Sequence, residues 1–112
     1  MARRILHDYP RISLNEEDAA GWVDFAHLFG REAPVHVEIG SGKGTWLLAQ
    51  AQRDVETNFL GIEWANQYYR YAVDRVGRWG LTNVRIIRTD AATFLHGHVP
   101  DAGGGGHRLP SR

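Results

Sequence analysis

Three acidic residues, Glu38, Glu63 and Asp90, close three short apolar runs, and the first leads into Gly40-Ser41-Gly42-Lys43-Gly44. A glycine-rich turn between a strand and a helix is where ligands bind in parallel α/β sheets. Glycine lets the backbone approach the ligand, and the helix that follows offers free N–H groups. Two phosphate-binding patterns do not fit. A Walker loop needs glycine five residues before Gly42, where Val37 stands, and Ser or Thr after the lysine, where Gly44 stands. A Gly-x-Gly-x-x-Gly dinucleotide fingerprint needs glycine where the chain has Thr45. What remains is Glu38-x-Gly40-x-Gly42-x-Gly44, an acid two residues ahead of three alternating glycines. An acid there suits a ligand that is positively charged and has no pyrophosphate.

The other two acids extend the same idea. Glu63 could accept hydrogen bonds from both hydroxyls of a ribose, a placement that also serves nicotinamide cofactors. Asp90 could accept from an adenine amino group. Each acid alone reads equally well as a helix cap or a solvated loop residue. Three at successive strand ends, beside a glycine turn, point to one site. Trp64, directly after Glu63, could flank a purine, whereas Tyr68, Tyr69, Tyr71 and Trp79 have the spacing of a core helix. Lys43, Arg85 and Arg88 read as solvated or phosphate-touching side chains. His96-x-His98 with His107 has no carboxylate spacing or rigid element behind it, so no metal site is expected.

The apolar pattern gives the elements that must position these residues. Residues 1–14 read as an irregular arm. Asn15 with Glu16, Glu17 and Asp18 supplies an N-cap and an acidic first turn for a helix carrying Ala19, Trp22, Val23, Ala26 and Phe29, stopped by Gly30. Val35–Ile39 reads as a strand after Pro34, Thr45–Arg53 as a helix and Asn58–Glu63 as a second strand. The longest helix runs from Ala65 to Trp79, with Ala65, Tyr69, Ala72, Val76 and Trp79 on one stripe and Gly80 as its cap. Asn83–Arg88 is a third strand leading into a brief helix through Leu95. Crossovers of this length enforce parallel pairing, so the chain reads as an α/β βαβαβ unit preceded by one helix.

Composition narrows the class. The 112 residues carry 13 basic and 13 acidic side chains, for a formal net charge of zero, and 43% are hydrophobic, which fits one small globular domain. Cysteine is absent, excluding a disulfide scaffold, a thiol nucleophile and a cysteine zinc site. No apolar run has the length of a membrane span or a secretory signal, so a cytoplasmic protein without a membrane partner is expected.

Alternating glycines behind an acid are the pattern of S-adenosylmethionine-dependent methyltransferases, whose cofactor joins an adenosine to a cationic methionine tail. The agreement goes further. Leu28-Phe29-Gly30, Pro34 through Gly44, Asn58 through Glu63, Leu81 through Arg85 and Asp90-Ala91 together resemble bacterial tRNA (guanine-N7)-methyltransferases, between residues 21 and 101. The resemblance implies a Rossmann-like class I methyltransferase fold and methyl transfer to N7 of a variable-loop guanine in tRNA. It also implies that Glu38, Glu63 and Asp90 hold S-adenosyl-L-methionine. With Gly40, Gly42, Gly44, Trp64 and Ala91 they make up the expected cofactor-binding set.

The chain departs from the family after residue 101. There the family has a fourth strand ending in Phe-x-Asp-Pro-Trp-x-Lys-x-Arg-His, which supplies much of the tRNA contact; this sequence has Gly103–Gly106 and a short polar tail. The expected organisation is an arm over 1–14, a partial methyltransferase domain over 15–101 holding only the N-terminal βαβαβ half, and a disordered tail over 102–112. This is the pattern of a truncated or frame-shifted gene product. It would bind cofactor and be inactive alone, so no catalytic residue is assigned. Val35–Ile39 would present a bare edge that invites self-association. Two alternatives are a methyltransferase-like subunit completed by a partner chain and a Rossmann-type nucleotide-binding module without methyl transfer. The acid before the glycines argues against the second.

Overall fold

The computed structural model describes residues 5–14, 24–92, 94 and 107–108. Three runs rich in Val, Ile and Leu form the centre of the sheet. These are β2 (Val35–Ile39), β3 (Asn58–Ile62) and β4 (Val84–Ile87). They are joined by α2 (Thr45–Arg53) and α3 (Asn66–Arg78), and every pairing is parallel, as helical crossovers require. Two short strands complete the sheet, β1 (Ser13–Leu14) against β4 and β5 (His107–Arg108) against β2, giving the order β1-β4-β3-β2-β5. Ile39, Ile62 and Ile87 lie in one register row, so Gly40, Glu63 and Arg88 leave the sheet at the same level. That alignment brings the strand-end residues to one edge.

The pleat divides the core in two. Val35, Val37, Leu60, Ile62 and Ile87 face one side, against Phe25, Phe29 and Phe94. Phe59, Val84 and Ile86 face the other, against Leu47 and Ala51 of α2 and Ala72, Val73 and Val76 of α3. The short α1 (Phe25–Phe29) starts at Asp24, whose carboxylate accepts from the His27 amide at 3.1 Å, and ends at Gly30 in the left-handed region, as expected. The helix start expected at Asn15, and Trp22 with it, lies outside the described residues.

The N-terminal segment adds to one expectation. Residues 5–12 carry no helix or strand, yet they lie as a strap across α3 and lead into β1. The His7 amide donates to Asp74 Oδ1 at 3.1 Å, and Arg78 Nε donates to Asp74 Oδ2 at 2.9 Å, so this carboxylate, 0% exposed within α3, is satisfied on both oxygens. Arg11 donates to the carbonyls of Leu81 and Gly77. The Tyr9 ring fills the space that a side chain at Gly77 would occupy. Ile12 then enters the core, its carbonyl accepting from the Ile86 amide as β1 joins the sheet.

Two further expectations change. The outer edge of β2 is covered at its start, where His107 and Arg108 pair with Val35 and His36. Part of the segment expected to be a disordered tail is therefore a strand, its other residues lying outside the described set, and the premise for self-association through that edge is lost at Val35 and His36. Trp79 does not continue the buried stripe of α3. The helix ends at Arg78, so Trp79 sits at the C-cap with its side chain 59% exposed, and Ala65 at the other end is also exposed.

Alanine normally stabilises a helix interior relative to glycine by about 1 kcal/mol. Gly77→Ala should do the reverse here. A methyl group would press into the Tyr9 ring and lift the strap, for an expected loss of about 1–3 kcal/mol in urea denaturation. A raised midpoint would show that the strap does not pack as described.

Candidate functional site

The site begins where β2 ends. The Gly40 amide donates to the Ile62 carbonyl at 2.8 Å, extending the β2–β3 ladder by one residue before the chain turns away. Gly40, Gly42 and Gly44 have φ of 71°, 57° and 79°, a region that side-chain-bearing residues seldom adopt. Their roles differ. A Cβ built on Gly40 or Gly42 would meet no atom within 4 Å, so both present bare backbone to open space. One on Gly44 would lie 2.9 Å from the Ala72 Cβ, so this glycine lets the start of α2 pack on α3. The alternating motif thus combines two residues that leave room for a ligand with one that closes the helices behind it.

Glu63 ties this turn to the next strand. Its Oε1 accepts from the Gly42 amide at 2.7 Å and its Oε2 from the Ala65 amide at 2.9 Å, while its own amide donates to the Ile87 carbonyl at 3.0 Å. The side chain is 9% exposed. Glu63 is not itself the helix cap, since the N-cap of α3 is Ala65. Its carboxylate holds the amide of that residue together with the glycine turn, and each oxygen keeps a further lone pair.

The other predicted residues fall into two groups. Glu38 is buried at 5% exposure and pairs in register with Gly61. By alternation it shares the face of His36, whose ring stacks near Trp46 of α2 at 5.3 Å, so Glu38 underlies the turn rather than projecting from the strand end. Asp90 is exposed beyond β4, and its carbonyl accepts from the Phe94 amide at 2.9 Å as a short helical turn begins with the half-buried Ala91. Trp64 is 62% exposed. The structure thus joins Glu38, the three glycines and Glu63 in one compact unit, with Trp64 and Asp90 at its exposed margin.

The basic residues separate as well. Lys43 places its ammonium 5.0 Å from the centre of the Tyr71 ring. Arg85 is not solvated as expected: it donates to the carbonyls of Leu28, Thr82 and Val84 and lies over Phe29. Burial, and secondarily the nearby Arg11, lowers its pKa from the ordinary value. Its work is to fasten α1 to β4.

Sequence reasoning overlooked Gly61. A Cβ there would lie 2.8 Å from Leu47 Cδ2 and 3.2 Å from Ser41, so Gly61 lets α2 and the turn settle on β3. A glycine inside an otherwise apolar strand was the available signal. A cavity of about 400 Å³ lies elsewhere, between the strap and α3, lined by residues including Leu6, His7, Leu14, Asn66 and Arg70, and by none of the predicted site residues. The unit at the strand ends is an open shelf. Among the described residues no cluster of His, Asp or Glu could hold a metal ion, and no helix is long and apolar enough to cross a membrane. The His96-x-His98 pair lies outside them.

Residues 32–103 match the family described as "Putative methyltransferase". A tRNA (guanine-N(7)-)-methyltransferase of Salmonella typhimurium is 46% identical over 79 residues, covering 70% of this chain and 33% of that protein. The enzyme of the same name from Hydrogenovibrio crunogenus is 40% identical over 92 residues, covering 82% of this chain and 38% of its own. The chain therefore spans between a third and two fifths of the length of these two relatives. A solved antibiotic-related methyltransferase shares the fold, with a TM-score of 0.51 at 21% identity over 70% of this chain and 45% of that one.

If Glu63 holds the turn, Glu63→Ala should release it. Loss of a charge-assisted hydrogen bond should speed amide exchange at Gly42 by roughly tenfold to a hundredfold, with a parallel change at Ala65. Unaltered exchange at Gly42 would mean that the turn is held by its glycine conformation alone.

Proposed function

The chain belongs to the methyltransferase family of its tRNA (guanine-N7)-methyltransferase relatives, and from that membership we propose that it forms the cofactor-binding part of such an enzyme. The observation that carries the reading is the clasp between Glu63 and the Gly42 amide beside the open backbone of Gly40 and Gly42. It sets a carboxylate and a bare glycine cradle side by side at one end of a parallel sheet, which fits an adenosyl ligand with a cationic tail. S-adenosylmethionine, when bound, supplies a methyl group on an electrophilic sulfonium.

In this reading Gly40 and Gly42 admit the ligand against the backbone, and Glu38 lies buried beneath the turn. The lone pairs that Glu63 retains accept the ribose hydroxyls. Asp90 and Ala91 meet the adenine edge, and Trp64 forms a wall beside it. Guanine N7 already carries an available lone pair, so no general base is needed. Catalysis then rests on orienting the acceptor nitrogen and excluding water. A tRNA substrate would place the protein in the cytoplasm.

Calorimetry tests the binding step. The chain should bind S-adenosylmethionine and S-adenosylhomocysteine in preference to NAD, and Glu63→Ala should weaken binding by about 1.5–3 kcal/mol. Equal affinity for NAD would favour a general nucleotide-binding module. The family resemblance assigns guanine positioning to the Phe-x-Asp-Pro-Trp segment, which these 112 residues do not contain. Residues 1–112 should therefore form no N7-methylguanosine on unmodified tRNA. Joining residue 101 to a family C-terminal half that begins before that segment should restore the reaction. Methylation by residues 1–112 unaided would place the acceptor site within them.

A further inference from the structure

Trp64 is a large apolar side chain in the connection from β3 to α3, and it is 62% exposed. An indole so placed would ordinarily sample several rotamers, and ordering it around a ligand would weaken binding. Here one residue of the neighbouring strand end restrains it twice. Arg88 Nε donates to the Trp64 carbonyl at 3.0 Å, fixing the backbone, and the guanidinium carbon stands 5.0 Å from the centre of the Trp64 ring, covering the indole. The pairing of Ile62 with Ile87 makes this possible, because it brings the residue after β4 alongside the connection that leaves β3. Arginine is the side chain suited to both contacts, since its planar, weakly hydrated cation stacks on an aromatic face while still donating a hydrogen bond.

We propose that Arg88 is a positioning residue for ligand recognition. It holds the Trp64 indole as a preset wall, one face under the guanidinium and the other free to stack on the purine ring of the adenosyl group held by Glu63. The proposal rests on the cofactor reading given above, and it assigns to an exposed arginine a role distinct from contact with phosphate. A flat aromatic surface fixed before binding favours a purine and gives nothing to the methionine end of the same ligand. The contribution of Arg88 therefore exists only through Trp64.

The test is a calorimetric cycle on the full chain, with S-adenosylhomocysteine and adenosine as probes. Arg88→Ala should weaken both about threefold to tenfold, and Arg88→Lys should not rescue the loss, because lysine has neither the plane nor the Nε donor. Trp64→Ala should weaken both at least as much. The double variant Arg88→Ala/Trp64→Ala should bind no more weakly than Trp64→Ala alone. Thermal unfolding without ligand should be the same for every variant, both side chains being exposed; should Arg88→Ala fail to fold, Arg88→Gln replaces it in the cycle. Undiminished binding by Arg88→Ala, or losses that multiply in the double variant, would overturn the role of Arg88 while leaving the cofactor site standing. Failure of the unaltered chain to bind either probe would instead overturn the cofactor reading, and this inference with it.

Discussion

A single carboxylate sets the geometry of the strand-end shelf. Glu63 accepts from two backbone amides that belong to different parts of the chain, Gly42 in the glycine turn and Ala65 at the start of α3. Backbone N–H groups at a turn and at a helix start have no partner within their own element, and a charged acceptor satisfies both at once. The turn is thereby held at a fixed height above β3. The glycines complete the constraint: Gly44 allows α2 to approach α3, Gly61 allows α2 to approach β3, and Gly40 and Gly42 remain open. A ligand that entered would meet backbone already in place, which is what preorganisation requires.

A second constraint operates on the opposite flank of α3. Asp74 is buried in the middle of the helix, where an unsatisfied carboxylate would be strongly destabilising. It is tolerated because the strap delivers the His7 amide and the helix delivers Arg78. The same strap places Ile12 in the core and supplies β1, which covers the outer edge of β4 over Ile86 and Ile87. At the other side of the sheet, β5 covers the start of β2. Both ends of the described chain thus serve as edge strands, and parallel sheets need such cover because their edges carry unpaired backbone groups. The strap also holds α3 from behind, at Asp74, Gly77 and Leu81, while Glu63 holds its first turn from the front.

Much of this was legible in the sequence. The order of strands and helices followed from apolar periodicity, the glycine turn from its spacing, and the three acids from their places at the ends of apolar runs. These are local signals, since periodicity, turn residues and caps act within a few positions along the chain. Gly30 and Gly80 ended their helices as their types required, both in the left-handed region. Where a local pattern misled, a boundary or a distant partner intervened. Trp79 had the spacing of the α3 stripe, yet the helix stopped one residue before it. Arg85 looked solvated, and proved to be bound to carbonyls of Leu28, Thr82 and Val84.

The sequence by itself determined the parallel α/β architecture, the strand ends as the place of the candidate site and the kind of ligand that its acids and glycines suit. Only the tertiary structure decided which of those residues touch one another. Glu63 meets Gly42 across 21 positions, Arg88 meets Trp64 across 24, and Asp74 meets His7 across 67. Those encounters depend on the register in which β2, β3 and β4 pair and on how closely α2 and α3 settle against them. Register and packing are properties of several segments together. A shift of one residue in the β3–β4 pairing would turn every side chain to the other face and separate these partners, with no change in any local pattern.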